Sequence, residues 1–221
     1  MERGAVVFDM DGVLVDSEHV WDEIRERLAL ERGGRYGPEA QRAMMGMSSL
    51  EWSRYMHEEL GVRGSPAEIN DEVVRRMLDR YRADLPLLPG ALDAVRRLHD
   101  AGLDLALASS SNRPLIDAVL DAAGVAPLFR VTVSSEEVAR GKPAPDVYLE
   151  TARRLDRPAS SCAAVEDSAN GIRSASSAGM RVIAYPNARY PPPADVLALA
   201  EVELESLDDL TPDLVRASLP S

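Results

Sequence analysis

The chain has 221 residues, 45% hydrophobic and 28% charged, with a net charge of −12. That is ordinary for a globular protein long enough to bury a substantial core, as one domain or as a core with a smaller lobe. The acidic balance leaves no basic face to neutralise a row of phosphates, which argues against a nucleic-acid partner, and any anionic ligand then needs local compensation from a metal or a placed cation.

In chain order, "AVVFD" (5–9) is a short apolar, β-branched run that suits a buried parallel strand. Similar runs follow at 103–109 ("LDLALAS"), 129–134 ("FRVTVS"), 162–167 ("CAAVED") and 181–186 ("RVIAYP"). Helical patterns alternate with them: 91–102 closes on a glycine, 114–124 opens after Asn112 at Pro114, and "DVYLETARRL" and "ANGIRSASSAG" come later. Thr211 and Pro212 start a last short helix, and "RYPPPAD" (189–195) reads as a surface loop. Strand–helix alternation from 84 onward predicts a doubly wound, mostly parallel α/β sheet. Residues 18–83 hold no convincing strand, only amphipathic helices such as "HVWDEIRERLALERG" and "INDEVVRRMLDRYR". They read as a small α-helical cap inserted into a core of 1–17 and 84–221, with hinges near 13–17 and 82–89.

The lone cysteine, Cys162, excludes an internal disulfide and sits in an apolar run that suits a buried core position. With no signal peptide and no apolar run of bilayer length, the expectation is a cytoplasmic, bacterial protein with no membrane partner.

Ligands of open α/β sheets gather at the carboxyl ends of the strands. The first strand ends in Asp9, followed by Asp11; the second in Ser109 and Ser110; the fourth in Glu166 and Asp167. The third leads to Lys142 in "ARGKPAPD" (139–146), the single lysine of a chain whose other basic residues are all arginine. Each of these residues alone could be a helix cap or a solvated loop residue, but the ordered set points to one site. Asp9 and Asp11 lie two apart on extended backbone, about 6–7 Å in rise, so both can face the same way. Together with Asp167 they repel one another unless a divalent cation sits among them. Oxygen ligands without a His or Cys cluster point to Mg²⁺ rather than zinc. An EF-hand starting at Asp9 fails, because Leu14 and Val20 stand where Gly and Glu are needed. A carboxylate nucleophile on a phosphoryl group would form an aspartyl-phosphate. Lys142, a compact charge with three donors, could then bridge Asp9 and a phosphate oxygen where a planar guanidinium would crowd the site.

At these residues the sequence resembles the haloacid dehalogenase-like superfamily, in the branch of β-phosphoglucomutase and the small sugar-phosphate phosphatases. "FDMDGVLVDSE", "LASSSN", "GKPAPD" and "VEDSANGI" are similar to its four motifs, and the helical insertion falls where the branch carries its cap. The resemblance implies Asp9 as nucleophile and Asp11 as general acid, then base. It implies Mg²⁺ on Asp9, the backbone carbonyl of Asp11 and Asp167, with Glu166 supporting the metal directly or through water. Ser109 and the backbone N–H groups around Ser110 would bind the phosphoryl oxygens. The name-giving dehalogenases lack the second Asp of the first motif, so Asp11 favours phosphoryl chemistry. Trp21 and Ser49 fall where mutases of the branch carry a His and a cap Arg. A mutase needs a cap cation to hold its second phosphate, so the expectation is a Mg²⁺-dependent monomeric phosphatase of small phosphorylated metabolites, with a hexose-phosphate mutase as the alternative. A receiver-type signalling module also places acids and a Lys at its strand ends, but the long insertion and Asp11 argue against it. Trp21 and Trp52 read as cap core and Glu18 as either a substrate contact or a helix-start charge. His19, His57, His99 and Arg113 carry no assignment.

Overall fold

The computed structural model describes residues 4–45 and 47–219. The chain ends and Gly46 lie outside them. Among the described residues, β1 (Ala5–Phe8), β2 (Asp104–Ser109), β3 (Phe129–Ser134), β4 (Cys162–Glu166), β5 (Arg181–Ala184) and β6 (Val202–Glu203) form one sheet in the order β3-β2-β1-β4-β5-β6. Every pairing is parallel. Successive residues of β1 serve opposite faces: Val6 and Phe8 join one buried cluster, Ala5 and Val7 the other. A strand buried on both sides has no polar alternation, which is why its run reads as continuously apolar. Cys162 is buried in β4.

Helices α5 (Ala91–Asp100), α6 (Arg113–Ala122), α7 (Asp146–Arg154) and α8 (Ala169–Ser177) make the crossovers between strands, and α9 (Ala194–Leu197) and α10 (Pro212–Ser218) close the chain. The crossovers agree with the sequence reading. The edge strand β6 and the short α9, which begins inside the expected 189–195 loop, were not read, because elements of two and four residues carry no period. No helix among the described residues is long and apolar enough to cross a membrane.

Between β1 and α5 the chain is helical throughout: α1 (Glu18–Glu31), α2 (Pro38–Met44), α3 (Ser49–Glu58) and α4 (Pro66–Ala83). The start of α4 is encoded locally. Ser65 accepts from the Glu68 backbone N–H, Glu68 accepts from the Ser65 backbone N–H at 2.8 Å, and Pro66 opens the first turn. The two linkers to the sheet run side by side, with Asp16 N–H donating to Pro86 O at 2.7 Å and Leu88 N–H to Leu14 O at 3.0 Å. The helical insertion is therefore tied to the sheet through a two-stranded strap at the end of β1. Its far side touches the core through Ser49 Oγ, which donates to Glu136 Oε1 at 3.0 Å, and Asn170 Nδ2, which donates to Met45 O at 2.9 Å.

Candidate active site

The expected residues meet at the carboxyl ends of β1, β2 and β4, under the helical cap. Lys142 reaches them from the loop between β3 and α7, after which the peptide to Pro143 is cis. Its ammonium is 3% exposed as a residue and uses three donors: Asp9 Oδ1 at 2.9 Å, Ala108 O at 3.0 Å and Glu166 Oε1 at 2.6 Å. The Tyr148 ring lies 5.0 Å beneath it. This answers why a lysine stands here. A tetrahedral ammonium points three short donors in three directions, whereas a guanidinium holds its donors in one plane. In this structure the third donor goes to the β2 carbonyl. Burial pushes the ammonium towards its neutral form, but Asp9 and Glu166 outweigh burial and keep it charged.

Glu166 is fully buried and both its oxygens are engaged. Oε1 accepts from Lys142 and from Tyr148 Oη at 2.6 Å; Oε2 accepts from the backbone N–H groups of Asp167 and Ser168. Asp9, Glu166 and Asp167 each offer an oxygen within 4.8 Å of the others. The fit to Mg²⁺ is good on this chain's own features. The donors are all oxygen, and three buried carboxylates face one ammonium. Two glycines leave room for them: a Cβ on Gly12, whose φ is +82°, would lie 1.9 Å from Asp167, and one on Gly171 would lie 1.9 Å from Glu166.

The Asp11 carboxylate stands outside that cluster. Oδ1 accepts from Ser17 Oγ at 2.5 Å and Trp21 Nε1 at 3.0 Å, and Oδ2 from Ser111 Oγ at 2.6 Å. Any part it has in metal binding is left to its backbone carbonyl. Ser109 is buried, and its Oγ accepts from the Ser111 backbone N–H at 3.0 Å. Ser110 and Ser111, not Ser109, line the cavity, beside Asp9, Asp11, Lys142 and Asp167. The cavity measures about 40 Å³, room for a few waters only.

The cap side of the cavity differs most from expectation. Trp21 and Trp52 are core residues and also cavity wall, and Glu18 and Arg25 join them. Ser49 sits at the cap–core contact instead. Arg25 was missed: it is one of two arginines in the amphipathic α1, and no local pattern separates the buried Arg25 from the solvated Arg27. Glu18 accepts from Gln41 Nε2 at 2.9 Å, and burial, then Asp11, pushes its carboxyl up to about 7. Arg113 is tied to Glu137 and Thr132, and His99 lies on the surface of α5.

Burial and the neighbouring acids raise Asp167, and burial raises Asp9 to about 8 against the pull of Lys142. Groups whose folded pKa lies above their unfolded value stabilise the fold below the unfolded pKa and lose that contribution as pH rises through the folded one. Without divalent cations, the melting temperature is therefore expected to fall between about pH 5 and pH 8. Mg²⁺ bound among these carboxylates would replace their protons and should flatten that fall. Thermal melts in EDTA and in Mg²⁺ at both pH values check this; identical slopes would contradict it.

A buried acid–lysine site at the carboxyl edge of a parallel sheet, closed by a helical insertion after the first strand, defines a capped, doubly wound α/β enzyme. Residues 4–179 match the haloacid dehalogenase-like hydrolase family. The chain is 33% identical over 215 residues to hexitol phosphatase B of Escherichia coli, covering 94% of each. It is 34% identical to a probable pseudouridine-5'-phosphatase of Drosophila melanogaster, covering 94% of this chain and 91% of the relative. Among solved structures, a CbbY variant from Rhodobacter sphaeroides in complex with xylulose-(1,5)bisphosphate superposes with a TM-score of 0.84 at 26% identity, over 94% of this chain and 96% of that one. The chain belongs to the haloacid dehalogenase-like hydrolases.

Proposed function

We propose that the protein is a Mg²⁺-dependent phosphatase of small phosphorylated metabolites, sugar phosphates foremost, that works through an aspartyl-phosphate on Asp9. The observation that carries this reading is the unequal setting of Asp9 and Asp11 on one cavity wall. Asp9 is held by an ammonium, which suits a nucleophile. Asp11 is held by two hydroxyls and an indole N–H, which suits a group that gives and takes a proton without moving.

An Asp9 oxygen attacks phosphorus as the bond to the leaving alkoxide breaks, and the Asp11 carboxyl gives that oxygen its proton. A water then attacks the aspartyl-phosphate, Asp11 takes the water's proton, and phosphate leaves with Asp9 restored. Ser110 lines the place of the phosphoryl oxygens, with Ser109 buttressing the turn below it. Asp9, Asp167 and the backbone carbonyl of Asp11 would hold Mg²⁺, with Glu166 behind them. The bound ion supplies positive charge to the phosphoryl oxygens and to the crowded carboxylates. The narrow cavity supports a cap, residues 18–83, that opens to admit substrate and closes to exclude bulk water. We further propose that the protein works as a monomer in the cytoplasm of a bacterium. The named activities of the hexitol and pseudouridine-phosphate relatives support small phosphate esters as the substrate class.

A hexose-phosphate mutase is the second reading, and Arg25 favours it. The sequence-based case against a mutase rested on a cap without a cation, and the cap has one on the cavity wall. Phosphate release with Mg²⁺ against a panel of phosphate esters, including β-glucose 1-phosphate, separates the two. Free phosphate from several esters supports the phosphatase; glucose 6-phosphate with little free phosphate supports the mutase; no product from any ester counts against both.

Gly171→Ala is expected to lower kcat/KM roughly 10²-fold while the protein stays folded, because the new methyl displaces the Glu166 carboxylate that holds Lys142. Steady-state kinetics beside circular dichroism would read this, and unchanged kinetics would show that Glu166 can yield without cost.

A further inference from the structure

Tyr148, in the first turn of α7, is fully buried in the apolar cluster that also holds Ala108 and Ala164. Its hydroxyl donates to Glu166 Oε1 at 2.6 Å, and its ring centroid lies 5.0 Å from the Lys142 ammonium. The hydroxyl is not needed to satisfy Glu166. A carboxylate has about four acceptor sites. Glu166 already takes Lys142 Nζ on Oε1 and, on Oε2, the backbone N–H groups of Asp167 and Ser168 and the Ser168 hydroxyl at 3.3 Å. A phenylalanine would fill the same space and leave no buried hydroxyl to be partnered.

What the hydroxyl changes is the competition for the ammonium. Lys142 has three donors and all are used, at 2.6 Å to Glu166 Oε1, 2.9 Å to Asp9 Oδ1 and 3.0 Å to Ala108 O. The shortest goes to Glu166 and not to Asp9, so two buried carboxylates compete for one charge. A second short bond to Glu166 Oε1 fixes its place and takes up part of its charge, so that it draws the ammonium less. We propose that Tyr148 is a positioning residue: by holding Glu166 Oε1 it keeps the Lys142 ammonium on Asp9, and so keeps the Asp9 carboxylate aimed. Without the hydroxyl, Glu166 and Lys142 close on each other and Asp9 is held less firmly. The kinetic consequence rests on the phosphatase reading; the effect on Lys142 does not.

Tyr148→Phe keeps the ring and opens no cavity, and thermal melts check that it folds. With Mg²⁺ and a phosphate ester that the wild type hydrolyses, kcat is expected to fall about 5–20-fold while KM stays within about twofold, because aim is lost and substrate binding is not. In a Glu166→Gln background the same change should cost less than about twofold, since Tyr148 acts through the Glu166 carboxylate. An unchanged kcat in Tyr148→Phe, or a loss that persists in full beside Glu166→Gln, overturns the proposal. Lys142 is the single lysine of the chain, so lysine labelled with ¹⁵N at its side chain gives one ammonium resonance. That resonance should move in Tyr148→Phe, with Mg²⁺ and without it, and stay in place in Tyr55→Phe, which alters a tyrosine of the cap. A resonance that Tyr148→Phe leaves unmoved overturns the proposal whatever the kinetics show. A moved resonance in a protein that hydrolyses no ester supports the place of Tyr148 and counts against the phosphatase alone.

Discussion

Asp9→Asn is expected to reduce phosphate release by ~10⁴-fold or more and leave the protein folded. The amide keeps the shape of the carboxylate but has no anionic oxygen to attack phosphorus, so the first covalent step is lost rather than slowed. The stability change should be small, and its sign follows from two opposing terms. The substitution removes one partner of Lys142, which still has Glu166 and the Ala108 carbonyl. It also removes one of three buried carboxylates that repel one another, whose burial and neighbours raise the Asp9 pKa to about 8. The melting temperature in EDTA should therefore stay within a few degrees of wild type or rise. The gain on adding Mg²⁺ should shrink, because one ligand is weaker. Phosphate release and paired melts measure both. Turnover within tenfold of wild type would remove Asp9 as nucleophile.

Lys142→Met should combine a comparable loss of activity with a loss of stability, and that difference sets the two residues apart. Methionine keeps the apolar stem but leaves Asp9 and Glu166 buried with no cation between them. Breaking a buried pair in this way costs about 3–5 kcal/mol, or a fall of about 6–20 °C in melting temperature for a chain of this size. Mg²⁺ should recover part of the stability, since it can balance the same carboxylates, but not the activity, since Asp9 would have lost the group that aims it. Lys142→Arg tests shape rather than charge. Its planar fork cannot reach Asp9, Ala108 O and Glu166 from one point, so turnover should also fall sharply. Near-wild-type turnover in Lys142→Arg would mean that charge alone is needed there.

The two variants together also show how far the chain could be read in advance. Apolar runs without alternation marked β1, β2 and β4, because strands buried on both faces carry no polar side. Helix starts such as Asn112 with Pro114, and Thr211-Pro212, were legible because a capping residue and an early proline are local signals. Asp9, Asp11, Glu166 and Asp167 could be listed from strand ends, since in a parallel sheet every strand delivers its carboxyl end to the same edge, and Lys142 stood out in the loop after β3 as the single lysine. These are local signals, or signals repeated by one architecture, and they survive without coordinates.

What each residue touches is another matter. That Lys142 fills its third donor with the Ala108 carbonyl, that Asp11 turns from the acidic cluster to Ser17, Trp21 and Ser111, and that Ser109 lies beneath the cavity while Ser111 lines it depend on side-chain directions across residues far apart in sequence. Arg25 is the clearest case. On the helix it is one more arginine in a polar pattern, and only the docking of α1 and α3 over the sheet encloses it between two indoles and the acids of the cavity. A charge acquires its meaning from what desolvates it and what stands opposite it. Both are set by the packing of distant segments, which leaves no periodic mark on the chain.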